Sequence, residues 1–188
     1  GYWNFDEGEG TVLHDLSGGD KDGELTNTTE SDVWQDGILG SSVRLDGLND
    51  SFTIPGYYGG GIKTFSLWLD PGFALESNGT AVRLFASNSP VTFWLNDFNA
   101  SITGEILGIR KSSGEMTYVT EANANLSDGW NHLALVWDGG LSRYRMYVNG
   151  VDVDVNASAE GHFPISNIHN FYFADSTPSY AGKIDEFR

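Results

Sequence analysis

The chain reads as an all-β protein, a two-sheet antiparallel β-sandwich. Three observations predict this. Apolar and polar residues alternate with a period of two through most of the chain, as strands with one buried and one wet face require. Helical periodicity is nearly absent. About thirteen strand-like runs are punctuated by turn residues, a spacing that suits a sandwich.

The elements follow in order. Trp3 and Phe5 stand at the opening of the chain. Phe52 and Ile54 alternate with Ser51 and Thr53. Phe65, Leu67 and Leu69 alternate with Thr64, Ser66 and Trp68. Phe93 and Leu95 flank Trp94, so a core-facing pair there turns Trp94 outward. Leu133, Leu135 and Trp137 alternate with His132, Ala134 and Val136. Asn149-Gly150 separates the runs 143–148 and 151–155, and both residues accept the positive φ of a type I′ hairpin. Val151, Val153 and Val155 then alternate with Asp152 and Asp154, one face buried and the other wet. Asp46-Gly47 and Asp138-Gly139 are further hairpin turns, and Gly59-Gly60-Gly61 reads as a loop tip. No internal repeat or boundary appears, so residues 1–188 form one domain.

Composition bounds the function. Ten basic residues face 26 acidic ones, a net charge of -16. Phosphate backbones are repelled, which argues against nucleic acid as a partner. No apolar run approaches the roughly 18 residues that span a bilayer, so membrane insertion is not expected. There are no cysteines, which excludes disulfides and thiolate metal sites. The chain opens on Gly1 without a charged-then-apolar leader, as a processed or trimmed chain would. The pattern N-x-[ST] occurs at Asn27, Asn49, Asn78, Asn99, Asn125 and Asn156, more often than a random order of these residues would give. In a secreted glycoprotein these are glycosylation acceptors; an Asn- and Ser/Thr-rich β protein also makes the pattern in its turns.

Several phrases carry a resemblance. The chain opens Tyr2-Trp3-Asn4-Phe5-Asp6-Glu7-Gly8, followed by Asp15-Leu16-Ser17-Gly18. Gly129-Trp130-Asn131-His132-Leu133-Ala134 and Tyr147-Val148-Asn149-Gly150 lie in the middle. It closes on Gly182-Lys183-Ile184-Asp185-Glu186-Phe187-Arg188. In this order they resemble the laminin-G-like, concanavalin A-like jelly-roll family. The resemblance implies a jelly roll whose first and last strands lie side by side, with Trp3 and Phe5 beside Ile184 and Phe187. It also implies that Trp68 and Trp130 are core tryptophans and that His132 is structural. The fold carries lectins, adhesion modules and spacers alike.

Three chemistries can be weighed. The loop from Asp15 to Gly23 offers Asp15, Ser17, Asp20 and Asp22 among glycines, and calcium takes six to eight oxygens from such loops. The family often holds a structural calcium with a carboxylate near the chain end, which here implies Asp185 or Asp6. The competing reading is a polar turn without metal. Asp46, Asn49 and Asp50, and Asp128 with Asp138, offer side-chain oxygens for a rim calcium site; the competing reading makes them turn residues. A sugar site needs a flat aromatic ring for the apolar face of the sugar and polar groups for its hydroxyls. Trp94, Asn96 and Asp97, the pair Tyr57 and Tyr58, and Arg110 with Tyr118 supply these; partial burial under a loop is the alternative. Catalysis finds little support. The E-x-D-x-x-E strand of laminarinase-type jelly rolls is absent. Asn167-Ile168-His169 only approaches the lyase Q-[IV]-H strand. His14, His132, His162 and His169 lack zinc spacing, and no G-x-S-x-G occurs.

The expectation is an extracellular, non-catalytic, lectin-like recognition or adhesion module that binds a glycan or glycoprotein ligand, with a structural Ca2+. The alternative is a glycosylated structural subunit that self-assembles into a filament or surface layer.

Overall fold

The computed structural model of the chain describes residues 1–56, 64–71, 82–87, 91–95, 107–111, 116–119, 126–138, 143–153, 170–174 and 180–188. In chain order the elements are β1 (Val12–Leu13), β2 (Gly23–Thr26), the single-turn α1 (Glu30–Val33), β3 (Trp34–Asp36), β4 (Ser41–Asp46) and β5 (Ser51–Pro55). Next come β6 (Thr64–Asp70), β7 (Val82–Ser87), β8 (Val91–Leu95), β9 (Leu107–Lys111) and β10 (Met116–Val119). The last are β11 (Asn131–Asp138), β12 (Arg143–Val148), β13 (Val151–Asp152), β14 (Asn170–Phe173) and β15 (Ala181–Asp185). No helix among the described residues is long and apolar enough to cross a membrane.

These strands form the expected two antiparallel sheets. One has eight strands in the order β1-β2-β5-β14-β7-β8-β9-β10, the other seven in the order β13-β12-β11-β6-β15-β4-β3. The predicted alternation sets the inner faces. Phe65, Leu67 and Leu69 are buried on β6, Leu133 and Leu135 on β11, and Phe52 and Ile54 on β5. Asn149 (φ 50°) and Gly150 (φ 79°) form the β12–β13 turn with both positive φ values of a type I′ hairpin.

The two ends of the chain close the sandwich. Trp3 and Phe187 exchange backbone hydrogen bonds of 2.9 Å in each direction, and Arg188 does the same with Ser66 of β6. The Trp3 ring stacks on Phe187 at 5.5 Å. Phe187 meets Phe171 and Phe173 edge-on, each at 5.2 Å. Phe52 stacks on Phe173 at 4.2 Å and takes the edge of Phe5. Each buried aromatic of this cluster adds about 1.5–3 kcal/mol of burial and links the end phrases to both sheets.

Three expectations are corrected. Trp68 and Trp130 are not core residues. Both are half-buried, and Trp68 lies on the outer face of the seven-stranded sheet, opposite in parity to Leu67 and Leu69. Asp46-Gly47 is not a hairpin turn, because β4 belongs to the seven-stranded sheet and β5 to the eight-stranded one, so the turn carries the chain between layers. Val151 is 62% exposed while Val153 is buried, because Val151 follows directly on the hairpin tip.

Candidate functional site

The outer face of the eight-stranded sheet gathers most of the described sugar-binding candidates. Its parity is set by β14 and β5. Phe171 and Phe173 are buried between the sheets, so half-buried Tyr172 and its partner Thr53 face outward. The ladder carries that parity sideways through Tyr172↔Ala86, Ala86↔Thr92, Thr92↔Arg110 and Arg110↔Met116. The next outer row lies two residues further along β8, β9 and β10 and three along the bulged β7, where Trp94 is opposite Arg83 on one side and Gly108 on the other, and Gly108 is opposite Tyr118. Trp94, Arg110 and Tyr118 therefore share one face. Trp94 and Tyr118 stand two strand spacings apart, about 10 Å, with Gly108 as the floor between them. A β-bulge between Arg83 and Phe85 sets Leu84 into the core. Asn96, Asp97, Tyr57 and Tyr58 lie outside the described residues.

Sequence reasoning missed two residues on this face. Asn170 and Tyr172 are half-buried, and the Asn170 amide donates to the Tyr172 hydroxyl at 3.0 Å. Alternation in Asn170-Phe171-Tyr172-Phe173 was the available signal. An amide next to a phenol, a short way from an aromatic row, offers both sugar-hydroxyl contacts and a stacking surface.

The acidic loop is built for self-closure. Asp15 Oδ1 accepts from the Tyr2 and Ser17 backbone amides at 3.0 and 2.9 Å. Asp22 accepts the Asp15 amide at 2.8 Å and contacts the His14 ring at 3.2 Å. Partial burial pushes the Asp15 carboxyl up, but the hydrogen bonds from Ser17 and Tyr2 outweigh it and hold it below the usual range. The Trp3 indole donates to the Lys21 carbonyl at 3.0 Å and ties the loop to the closing strands. Asp15 Oδ2 is buried without a hydrogen bond, and a Cβ on Gly19 would meet it at 2.9 Å and Ser17 Oγ at 3.3 Å. This is a two-oxygen niche. Calcium needs six to eight ligands, and among the described residues no group of three or more His, Cys, Asp or Glu is placed to hold one metal. Asp20 adopts φ 53° in the loop.

Asp185 serves a different turn. It is fully buried, Oδ2 accepting from Ile38 and Leu39 (2.9 and 3.3 Å) and Oδ1 from Glu186 (2.7 Å). Burial nevertheless pushes its carboxyl up to about 6, past the opposing pull of these donors. Asp6 holds the same turn through the Ser41 amide at 2.8 Å. The residues Asp15, Ser17, Asp20, Asp22 and Asp185 therefore do not fit one calcium shell as arranged.

The other candidates are also placed. Asp46 accepts the Leu48, Asn49 and Asp50 amides, and Asp50 accepts the Asp46 amide, a closed turn. Asn27 and Asn49 are exposed neighbours, the Asn27 amide donating to the Asn49 carbonyl at 3.3 Å. Asn78, Asn99, Asn125 and Asn156 lie outside the described residues. On the opposite sheet the His132 ring lies 5.1 Å from Trp68. Burial first, then the charge of Arg188, lowers its pKa, which favours the neutral ring.

Comparison with known proteins agrees with this geometry. Residues 41–188 match a family model described as the concanavalin A-like lectin/glucanases superfamily. No curated protein sequence matches. Among solved structures, domain 4 of AbnA, a GH43 extracellular arabinanase from Geobacillus stearothermophilus in complex with arabinotriose, is similar at TM-score 0.64 and 21% identity, covering 100% of this chain and 89% of that one. The botulinum neurotoxin serotype D binding domain is similar at TM-score 0.68 and 11% identity over 99% of this chain. A mosaic serotype C/D receptor-binding domain gives TM-score 0.66 and 14% identity over 99%. The chain spans a little under half of each toxin domain, 46% and 45%. At these identities the likeness is one of fold.

Proposed function

We propose, from the premise that this chain belongs to the concanavalin A-like lectin/glucanase superfamily, that it is a non-catalytic carbohydrate-recognition module whose binding face is the outer surface of the eight-stranded sheet. The observation that carries the reading is the cross-strand row Arg83, Trp94, Gly108 and Tyr118 beside the row that holds Arg110. Two aromatic positions across a glycine floor suit a short run of sugar rings, and the arginine positions suit hydroxyl recognition. Arabinotriose held by the arabinanase domain supports a saccharide as the ligand class. The sequons support an extracellular setting.

The ligand is a neutral saccharide, because a chain of net charge -16 repels anionic ones. Calcium enters no step of this reading. The test is a glycan array followed by titration of the retained oligosaccharide into wild type, Trp94→Ala and Tyr118→Ala. Each substitution is expected to weaken binding by about tenfold or more, as loss of a stacking aromatic does. No retained sugar on the array, or full affinity in both variants, would overturn the assignment of this face.

A further inference from the structure

We propose that Asn149-Gly150 is a deamidation site whose reactivity the fold restrains through Asn131 and His132. Both turn residues are exposed, and a Cβ on Gly150 would meet nothing within 4 Å, so the tip of the turn is uncrowded. The Asn149 side chain is held at both ends. Its Oδ1 accepts the His132 amide at 2.9 Å, and its Nδ2 donates to Asn131 Oδ1 at 3.1 Å. The Asn149 backbone amide also donates to the His132 carbonyl at 2.8 Å.

Asn131 is a strong anchor for this clamp. It is fully buried. Its Oδ1 also accepts from the Ser127 amide and hydroxyl, and its Nδ2 donates to the Ser127 and Gly129 carbonyls. Asn149 therefore ties the β12–β13 turn to the loop that leads into β11.

The reaction is internal. The Gly150 backbone nitrogen attacks Asn149 Cγ and forms a C–N bond. The Cγ–Nδ2 bond breaks, and the nitrogen leaves as ammonia with the proton lost from Gly150. Water then opens the five-membered imide at either carbonyl, leaving aspartate or isoaspartate. Attack requires the side chain to swing from β11 toward Gly150, so the clamp bonds must first open. The product replaces an N–H donor with a carboxylate oxygen facing Asn131 Oδ1, acceptor against acceptor. An aged chain would thus lose the link between the turn and the 127–131 loop.

The experiment incubates the full chain in mildly alkaline buffer, folded and in guanidinium, and follows replacement of the amide by hydroxyl with fragment-ion mass spectrometry. Asn78-Gly79, the other Asn-Gly in the sequence, serves as the reference in the unfolded arm. Asn149 is expected to convert as fast as Asn78 when unfolded and about tenfold more slowly when folded, since two hydrogen bonds must open. Asn131→Ala, if folded, should recover most of the unfolded rate. Asn149→Asp should melt below wild type, because it installs the product. Equal rates in folded and unfolded chains, no conversion at Asn149 in guanidinium, or a wild-type melt for Asn149→Asp would each overturn the proposal.

Discussion

Asp185→Asn should change how stability depends on pH, and the structure sets the size. The Asp185 carboxyl is fully buried and its pKa is raised from 3.8 to about 6. The folded chain thus binds this proton more tightly than the unfolded one. Its stabilising contribution is complete below about pH 3.8 and is lost as pH rises through about 6. A shift of that span corresponds to about 3 kcal/mol. Asparagine keeps the shape and cannot titrate, although it turns an amide nitrogen toward at least one of the Ile38, Leu39 and Glu186 donors. The assay is urea unfolding followed by tryptophan fluorescence, in EDTA, from pH 4 to pH 8 for both proteins. The variant should gain about 2.5 kcal/mol on wild type between the two ends, because part of the contribution is already lost at pH 4. Parallel stability curves would refute the claim that burial outweighs the three backbone donors.

Two other outcomes are expected. Trp3→Ala removes the stack on Phe187 and the bond to Lys21; it should cost about 3–5 kcal/mol in thermal or denaturant unfolding, and a loss under about 1 kcal/mol would mean the ends do not close the sandwich. Asp15→Ala frees the Tyr2 and Ser17 amides and should lower the melting temperature equally in calcium and in EDTA; a calcium-dependent rise in wild type that this variant erases would place a cation at Asp15 Oδ2.

The strands were legible because period-two alternation is a direct consequence of having one buried face, and Phe65, Leu67 and Leu69 fell where it put them. The same parity already set Trp68 on the other side. The family resemblance makes it a core tryptophan against this register, yet a half-buried indole beside His132 suits a sheet's outer face. Asp46-Gly47 has the local chemistry of a tight turn, but which sheet the next strand joins depends on long-range pairing that no short window contains. Trp94, Arg110 and Tyr118 were named from residue type, and only the ladder through Gly108 shows that they share a face. The resemblance implies Asp185 as a cation ligand. Its three amide donors come from residues 38, 39 and 186, and nothing local reveals the first two. Asn131, which gathers five hydrogen bonds, looked like one more polar residue before a strand.

The antiparallel bridge between Trp3 and Phe187 has a mechanical meaning. Tyr2 and Arg188 leave it on the same side, with the guanidinium 4.4 Å above the Tyr2 ring. Tension that separates these two residues peels the bridge open one bond at a time, like a zipper, and does not shear several bonds together. Opening this joint also loads the paired bonds between Arg188 and Ser66 of β6, so the same pull that draws Trp3 and Phe187 from the aromatic cluster reaches the seven-stranded sheet.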